Sequence, residues 1–246
     1  MISRIIKKIC IVTFITVNFI SCSKETNENT SNNNIIIKPK KYTVKETGSS
    51  AYSVNFEYNG NMITKIITSF GRNVTINYNS NNQITNYINQ TGSNIETFNA
   101  TYSNDLLTEL KNNTNTERTL YYYDSNKRVN KTDYFENNFL QTTFYQYDTS
   151  GNVNQSNDLY SSFQYEYDSS SNPFKNVIPQ MDAEIFWPWF GNLINNQILV
   201  KEKLSSSTTY STKYTYIYEY NAQNYPTKRT QKNPNGLVTE TVTYEY

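Results

Sequence analysis

The chain has 246 residues, with 22 Lys and Arg against 21 Asp and Glu, 23 tyrosines, two cysteines and no histidine. The absence of histidine removes His-based triads, His general bases and His metal ligands together. The near-neutral charge leaves no strong field for nucleic acid, so that partner is excluded.

Residues 1–21 read as an export signal. Arg4, Lys7 and Lys8 precede the apolar run Ile9–Ile20, which is shorter than the roughly 20 residues a transmembrane helix needs. A positive start, a short apolar core and a small-residue cleavage site define such a signal. The site reads Phe19-Ile20-Ser21-Cys22 and resembles the lipobox of bacterial lipoproteins, with Phe19 where Leu is usual. That resemblance implies cleavage before Cys22 and acylation of its thiol, which makes membrane lipid the first expected partner. It places the protein in a Gram-negative envelope, at the outer membrane rather than the inner, periplasmic or surface-facing. The alternative is an ordinary secretory signal with an incidental cysteine. Cys10 leaves with the signal, so neither a disulfide nor a cysteine metal site is expected. Removing the three signal cations leaves 19 basic against 21 acidic side chains.

Residues 22–40 form the next segment. Ser23–Asn34 is polar and Asn-rich, too poor in apolar groups to offset the entropy of ordering, and reads as a flexible tether.

From residue 41 to 246 one unit recurs, in which apolar and polar residues alternate up to a Tyr, followed by Asp or Asn and a turn. Examples are Val54-Asn55-Phe56-Glu57-Tyr58-Asn59-Gly60, Val74-Thr75-Ile76-Asn77-Tyr78-Asn79 and Tyr216-Ile217-Tyr218-Glu219-Tyr220-Asn221. The anchor tyrosines 58, 78, 102, 123, 147 and 167 are spaced 20, 24, 21, 24 and 20 apart; Tyr220 and Tyr246 follow after gaps of 53 and 26. Alternation puts the aromatics on one strand face and Asn, Glu, Gln and Thr on the other. The Asp or Asn caps a turn, and a second strand begins at Ile63, Leu107, Val129 or Val153. Each unit is a hairpin, and the series predicts an all-β antiparallel meander of about fifteen strands. A sheet that wide curves strongly or closes into a barrel-like form, because free edges invite aggregation.

Tyr147-Asp148-Thr149-Ser150-Gly151-Asn152-Val153 resembles the Tyr-Asp repeat of the RHS/YD family, and Tyr123-Asp124-Ser125-Asn126-Lys127-Arg128-Val129 is similar with Asn126 or Lys127 where Gly is usual. The layout is also similar to small Gram-negative lipoproteins of unknown function with a porin-like β fold. These resemblances imply a curved or closed sheet and bring no catalytic residues.

The rhythm breaks over an insert at 172–196. It contains Phe186-Trp187-Pro188-Trp189-Phe190 and is expected to form short helical or irregular pieces, with strand pattern resuming near Gln197. Phe186, Trp187, Trp189 and Phe190 read either as a stacking platform for sugar or as a hydrophobic plug, the plug being favoured. The anchor tyrosines are expected to be mainly structural, burying the ring and partnering the hydroxyl. No metal site, no cofactor and no catalytic group is expected. Asp182 and Glu184, beside the aromatic insert, are the only acids worth testing for a hydrolase. A transmembrane barrel needs an apolar outer band, and neither face of these strands supplies one. The function expected is a non-catalytic binding or scaffold module for glycan or envelope protein, with a purely structural envelope role as the alternative.

Overall fold

The computed structural model describes residues 37–137, 139–177 and 194–246. Sixteen strands follow one another. The first eight are β1 (Lys41–Glu46), β2 (Tyr52–Asn59), β3 (Met62–Thr68), β4 (Arg72–Tyr78), β5 (Ile84–Thr91), β6 (Asn94–Ser103), β7 (Leu106–Asn112) and β8 (Glu117–Tyr123). The second eight are β9 (Val129–Glu136), β10 (Phe139–Tyr147), β11 (Val153–Asn157), β12 (Ser161–Ser171), β13 (Asn195–Leu204), β14 (Ser211–Tyr220), β15 (Pro226–Lys232) and β16 (Val238–Glu245). Each pairs antiparallel with its chain neighbours, and β1 pairs with β16 from Lys41↔Glu245 to Glu46↔Glu240. The expected meander is therefore a fully closed barrel, one strand above the estimate. Closure satisfies both edges that an open sheet would leave unpaired.

The connections alternate between two ends. The proximal end holds the entry to β1, the end of β16 and every turn that leads from an even strand to an odd one. The distal end holds every turn from an odd strand to an even one, such as 47–51 and 69–71.

All seven proximal hairpins break register at the anchor tyrosine, with Glu57↔Lys65 followed by Tyr58↔Ile63 as the pattern. One extra residue, Thr64 in that case, makes a β-bulge. Simple alternation therefore fails in the second strand of each unit. Inward residues there stand three apart, as in Ile63 and Ile66, Ile84 and Tyr87, and Leu107 and Leu110, all buried.

The bulge also explains the tyrosines. Tyr78 Oη donates to the Ile63 carbonyl, Tyr147 Oη to that of Val129 and Tyr167 Oη to that of Val153, each at 2.6 Å. Tyr123 reaches Leu107 O at 2.7 Å, Tyr58 reaches Pro39 O at 2.6 Å and Tyr246 reaches Pro226 O at 2.7 Å. Each acceptor opens a segment one hairpin away. The hydroxyls thus stitch successive units together while the rings pack inside. Tyr220 departs from this: its hydroxyl goes to Asp168, and Tyr218 takes the carbonyl of Gln197 at 3.0 Å.

Turn chemistry follows the same repeat. Asp124 Oδ1 accepts from the backbone N–H groups of Asn126 and Arg128, and Asp148 Oδ1 from those of Ser150 and Asn152, at 2.8–2.9 Å. The third residue after each cap is left-handed: Lys127 at φ 61° and Gly151 at φ 90°.

The core lies inside the barrel and is richest between β1 and β9, where Val44, Val54, Ile66, Val74, Ile76 and Leu107 are buried. Residues 172–177 turn inward between β12 and β13, and Phe174 joins this core against Phe56, ring centres 5.3 Å apart. Strand β13 begins at Asn195, two residues before the predicted resumption, because Asn196 bonds Asp168 and Ser171 O. The expected helical pieces, with Asp182, Glu184, Phe186, Trp187, Trp189 and Phe190, lie outside the described residues, as do the signal, Cys22 and most of the tether.

The outer wall is polar. Glu57, Glu219 and Glu245 face cross-strand lysines, with Lys228–Glu219 at 2.7 Å and Lys41–Glu245 at 2.8 Å. Glu166 pairs Lys201 at 2.9 Å. Such ion pairs are unlike the apolar outer band that a membrane-spanning barrel carries.

Candidate binding site

Six residues before five of the eight anchor tyrosines the inward position, near the distal mouth, carries a charged or amide side chain. It holds Arg72 in β4, Glu96 in β6, Glu117 in β8, Gln141 in β10 and Glu240 in β16. Most of these groups are paired across the barrel wall. Arg72 Nε donates to Asn89 Oδ1 at 2.7 Å, and Asn112 Nδ2 to Glu96 Oε1 at 2.8 Å. Glu117 accepts from Tyr134. Burial, with Glu96 and Glu136 nearby, pushes the Glu117 carboxyl above the ordinary range.

The deepest of these pairs is Arg229–Glu240, joining β15 to β16. The Arg229 side chain is 14 % exposed and that of Glu240 only 3 %. A buried ion pair in a small domain needs further partners to offset desolvation. Arg229 lies over the Tyr216 ring at 5.3 Å, and Tyr244, Tyr218 and Tyr216 surround it. Burial works against its charge, Glu240 beside it favours it, and the net shift is upward, so the guanidinium stays protonated. Burial pushes the Tyr216 hydroxyl up to about 12 and raises those of Tyr42, Tyr218 and Tyr244 as well. These groups are neutral hydrogen-bonding hydroxyls at physiological pH. Arg229 Nε is buried with no hydrogen-bond partner.

Beside this pair lies a small, partly open pocket. Arg229 and Glu240 form its polar wall. Tyr42, Tyr52, Phe174 and Tyr244 supply aromatic surface, and Val44 and Val242 complete it. Tyr52, at the distal start of β2, contacts Phe70 edge-on at 5.5 Å. The pocket thus lies in the seam where β1 closes on β16, on the inner face. Chemically it offers flat apolar faces, a fixed donor with spare capacity and a fixed acceptor. Among the described residues no group of three or more Asp, Glu, His or Cys could hold a metal ion.

Sequence reasoning did not find Arg229 or Glu240. The repeat contained the signal. Arg229 stands three residues after Pro226, as Ile66 stands after Ile63 and Leu110 after Leu107, so the inward position is legible once the bulge is known. Strict alternation hid it. The four insert aromatics and the two insert acids named as candidates lie outside the described residues, and none is placed with respect to this pocket.

No protein-family model matches the chain, and no curated protein sequence matches it. Solved structures do. A porin-like protein from Bacteroides uniformis is similar at 11 % identity and a TM-score of 0.56, over 84 % of this chain and 97 % of that one. A porin-like protein from Bacteroides vulgatus aligns over 86 % of this chain and 99 % of its own at 12 % identity, with a TM-score of 0.43. The Tc holotoxin pore of Photorhabdus luminescens aligns with 78 % of this chain but 9 % of its own, at 14 % identity and a TM-score of 0.31. The first of these shows a shared barrel fold.

Proposed function

We propose that the protein is an exported envelope module, lipid-anchored through Cys22, that binds a glycan in the Arg229–Glu240 pocket without catalysis. The observation that carries the binding reading is the unpartnered, buried Nε of Arg229 on the wall of an aromatic pocket. Sugars present C–H faces to aromatic rings and hydroxyls that both donate and accept. A guanidinium beside a carboxylate matches that dual demand. The pocket is small and partly open, so it would grip the edge of a terminal sugar rather than enclose a polymer. Phe186, Trp187, Trp189 and Phe190 remain proposed as a second stacking surface. The envelope location, at the outer membrane, rests on the Phe19–Cys22 motif and agrees with the porin-like neighbours' barrel.

Thermal-shift measurements of the lipid-free mature chain against a panel of mono- and oligosaccharides test the pocket. A sugar that raises Tm in the parent and in Tyr122→Ala, on the outer wall, but not in Tyr52→Ala supports it. No shift with any panel member, or a shift that Tyr52→Ala retains, refutes it. Metabolic labelling with an alkynyl fatty acid tests the anchor: label should vanish in Cys22→Ser.

A purely structural role is the second reading. It is favoured by the tyrosine hydroxyls, at least seven of which are spent on backbone carbonyls rather than turned toward a ligand.

A further inference from the structure

Among the described residues, exposed large apolar side chains concentrate at one end of the barrel, where nine of thirteen lie. Six distal connections out of eight carry one within two residues of their tips: Phe70, Ile95, Leu140, Leu159, Leu204 and Leu237, all 50–73 % exposed. Elsewhere, among the described residues, Tyr122, Phe144 and Ile217 are exposed on the outer wall and Tyr220 near the proximal end, at 37–53 %. The described proximal turns, such as 79–83 and 148–152, are instead rich in Asn, Asp, Ser and Gly. An exposed apolar set of this size on one face marks a contact surface.

We propose that this distal rim seats on a lipid surface, inserting its side chains to the headgroup level without spanning. Three observations favour lipid over a protein groove. The residues sit on separate hairpins; strands about 4.8 Å apart place successive distal tips roughly 10 Å apart around the mouth. Singly spaced tips can all touch one plane at once, yet neighbouring tips share no groove. The exported chain is close to neutral, with 19 basic against 21 acidic groups, so the contact is apolar and does not require anionic lipid. Chain length also permits it. Residues 23–36, between Cys22 and the described barrel, can span at most about 50 Å. The longest strand, β12 with 11 residues, is about 36 Å. An acyl chain that starts at the proximal side therefore does not hold the distal rim away from the same leaflet. The polar outer wall limits the depth of insertion to the tips.

The test uses the exported chain with Cys22→Ser, so its result is independent of acylation and of the pocket. Cys10 leaves with the signal, and a single cysteine is introduced at Leu204 on the rim or at Gln223 on the proximal side. Each is labelled with nitrobenzoxadiazole and mixed with neutral phosphatidylcholine vesicles. The Leu204→Cys probe should shift to the blue and be quenched by brominated lipid, and the Gln223→Cys probe should not. Ile95→Ser/Leu159→Ser/Leu237→Ser, folded by circular dichroism, should lower vesicle partitioning at least tenfold. Absence of flotation overturns the proposal, as does an equal response at both labels. A concentration-dependent dimer without vesicles that the triple variant abolishes also overturns it and assigns the rim to a second copy.

Discussion

Arg229 occupies in β15 the inward position that Ile66 occupies in β3, three residues after the residue that opens the bulge. One hairpin of the barrel thus carries a buried cation where its six counterparts are uncharged and three of them, Ile66, Leu110 and Val200, are aliphatic. Arg229→Leu alone strands Glu240 in the interior and should destabilise by about 3–5 kcal/mol. Arg229→Leu/Glu240→Leu removes both charges and restores the aliphatic pattern, so it should be within about 1 kcal/mol of the parent or more stable. Urea unfolding of the three variants measures this. If the double variant is as unstable as the single ones, the pair is structurally required and the position is not equivalent to Ile66.

The tyrosine stitches make a graded prediction. Tyr147→Phe keeps the ring and removes the donor to Val129 O, leaving a half-buried carbonyl unsatisfied. It should cost about 1–2 kcal/mol. Tyr160→Phe, whose ring is 53 % exposed at the distal end, should cost less than about 0.5 kcal/mol. Thermal midpoints that fall equally for both would remove the stitch from the account of stability.

Lys127 is a non-glycine residue in the left-handed region, at φ 61°, at the same turn position as Gly151. Relieving that conformation stabilises by about 1–2 kcal/mol, offset in part by glycine's extra chain entropy of about 0.5–1 kcal/mol. Lys127→Gly should therefore raise stability by about 0.5–1 kcal/mol. The converse, Gly151→Ala, should lower it, because the new Cβ would also meet Ile194 Cδ1 at 3.0 Å. Denaturant midpoints decide both signs.

Glu117 carries the pH prediction. Burial first, then Glu96 and Glu136, raise its folded carboxyl above the ordinary value. The folded state therefore holds this proton more tightly than the unfolded chain does. Stability from this site is fully present below the ordinary carboxylate range and falls as pH rises through the raised value. Glu117→Gln should stabilise at neutral pH by about 0.5 kcal/mol, and the gain should vanish in acid. A gain that persists at low pH would point to packing rather than charge.

Much of this architecture was legible because one physical rule governs each unit. Tyr147-Asp148 with Gly151 specifies a strand end, a cap and a left-handed turn from three side chains, and the structure places them so. The polar outer face was equally readable from Glu57, Glu166 and Glu245. Arg229 was not, since alternation assigns its neighbours wrongly once Thr227 and Lys228 carry the bulge. The seam that builds the pocket was hidden for a different reason. Tyr42 and Tyr244 are 202 residues apart, and no local pattern says that the first strand waits for the last.

That wait has a kinetic meaning. Every strand pairing but one joins neighbours in the chain, so the sheet can grow hairpin by hairpin as the polypeptide emerges. The pairing of β1 with β16 comes last and is the sole step that carries a large loop-closure entropy. Until it forms, β1 presents an unpaired edge, and the seam pocket does not exist. The proposed binding would thus depend on the final folding event, and a nascent or truncated chain would hold its repeats without the pocket.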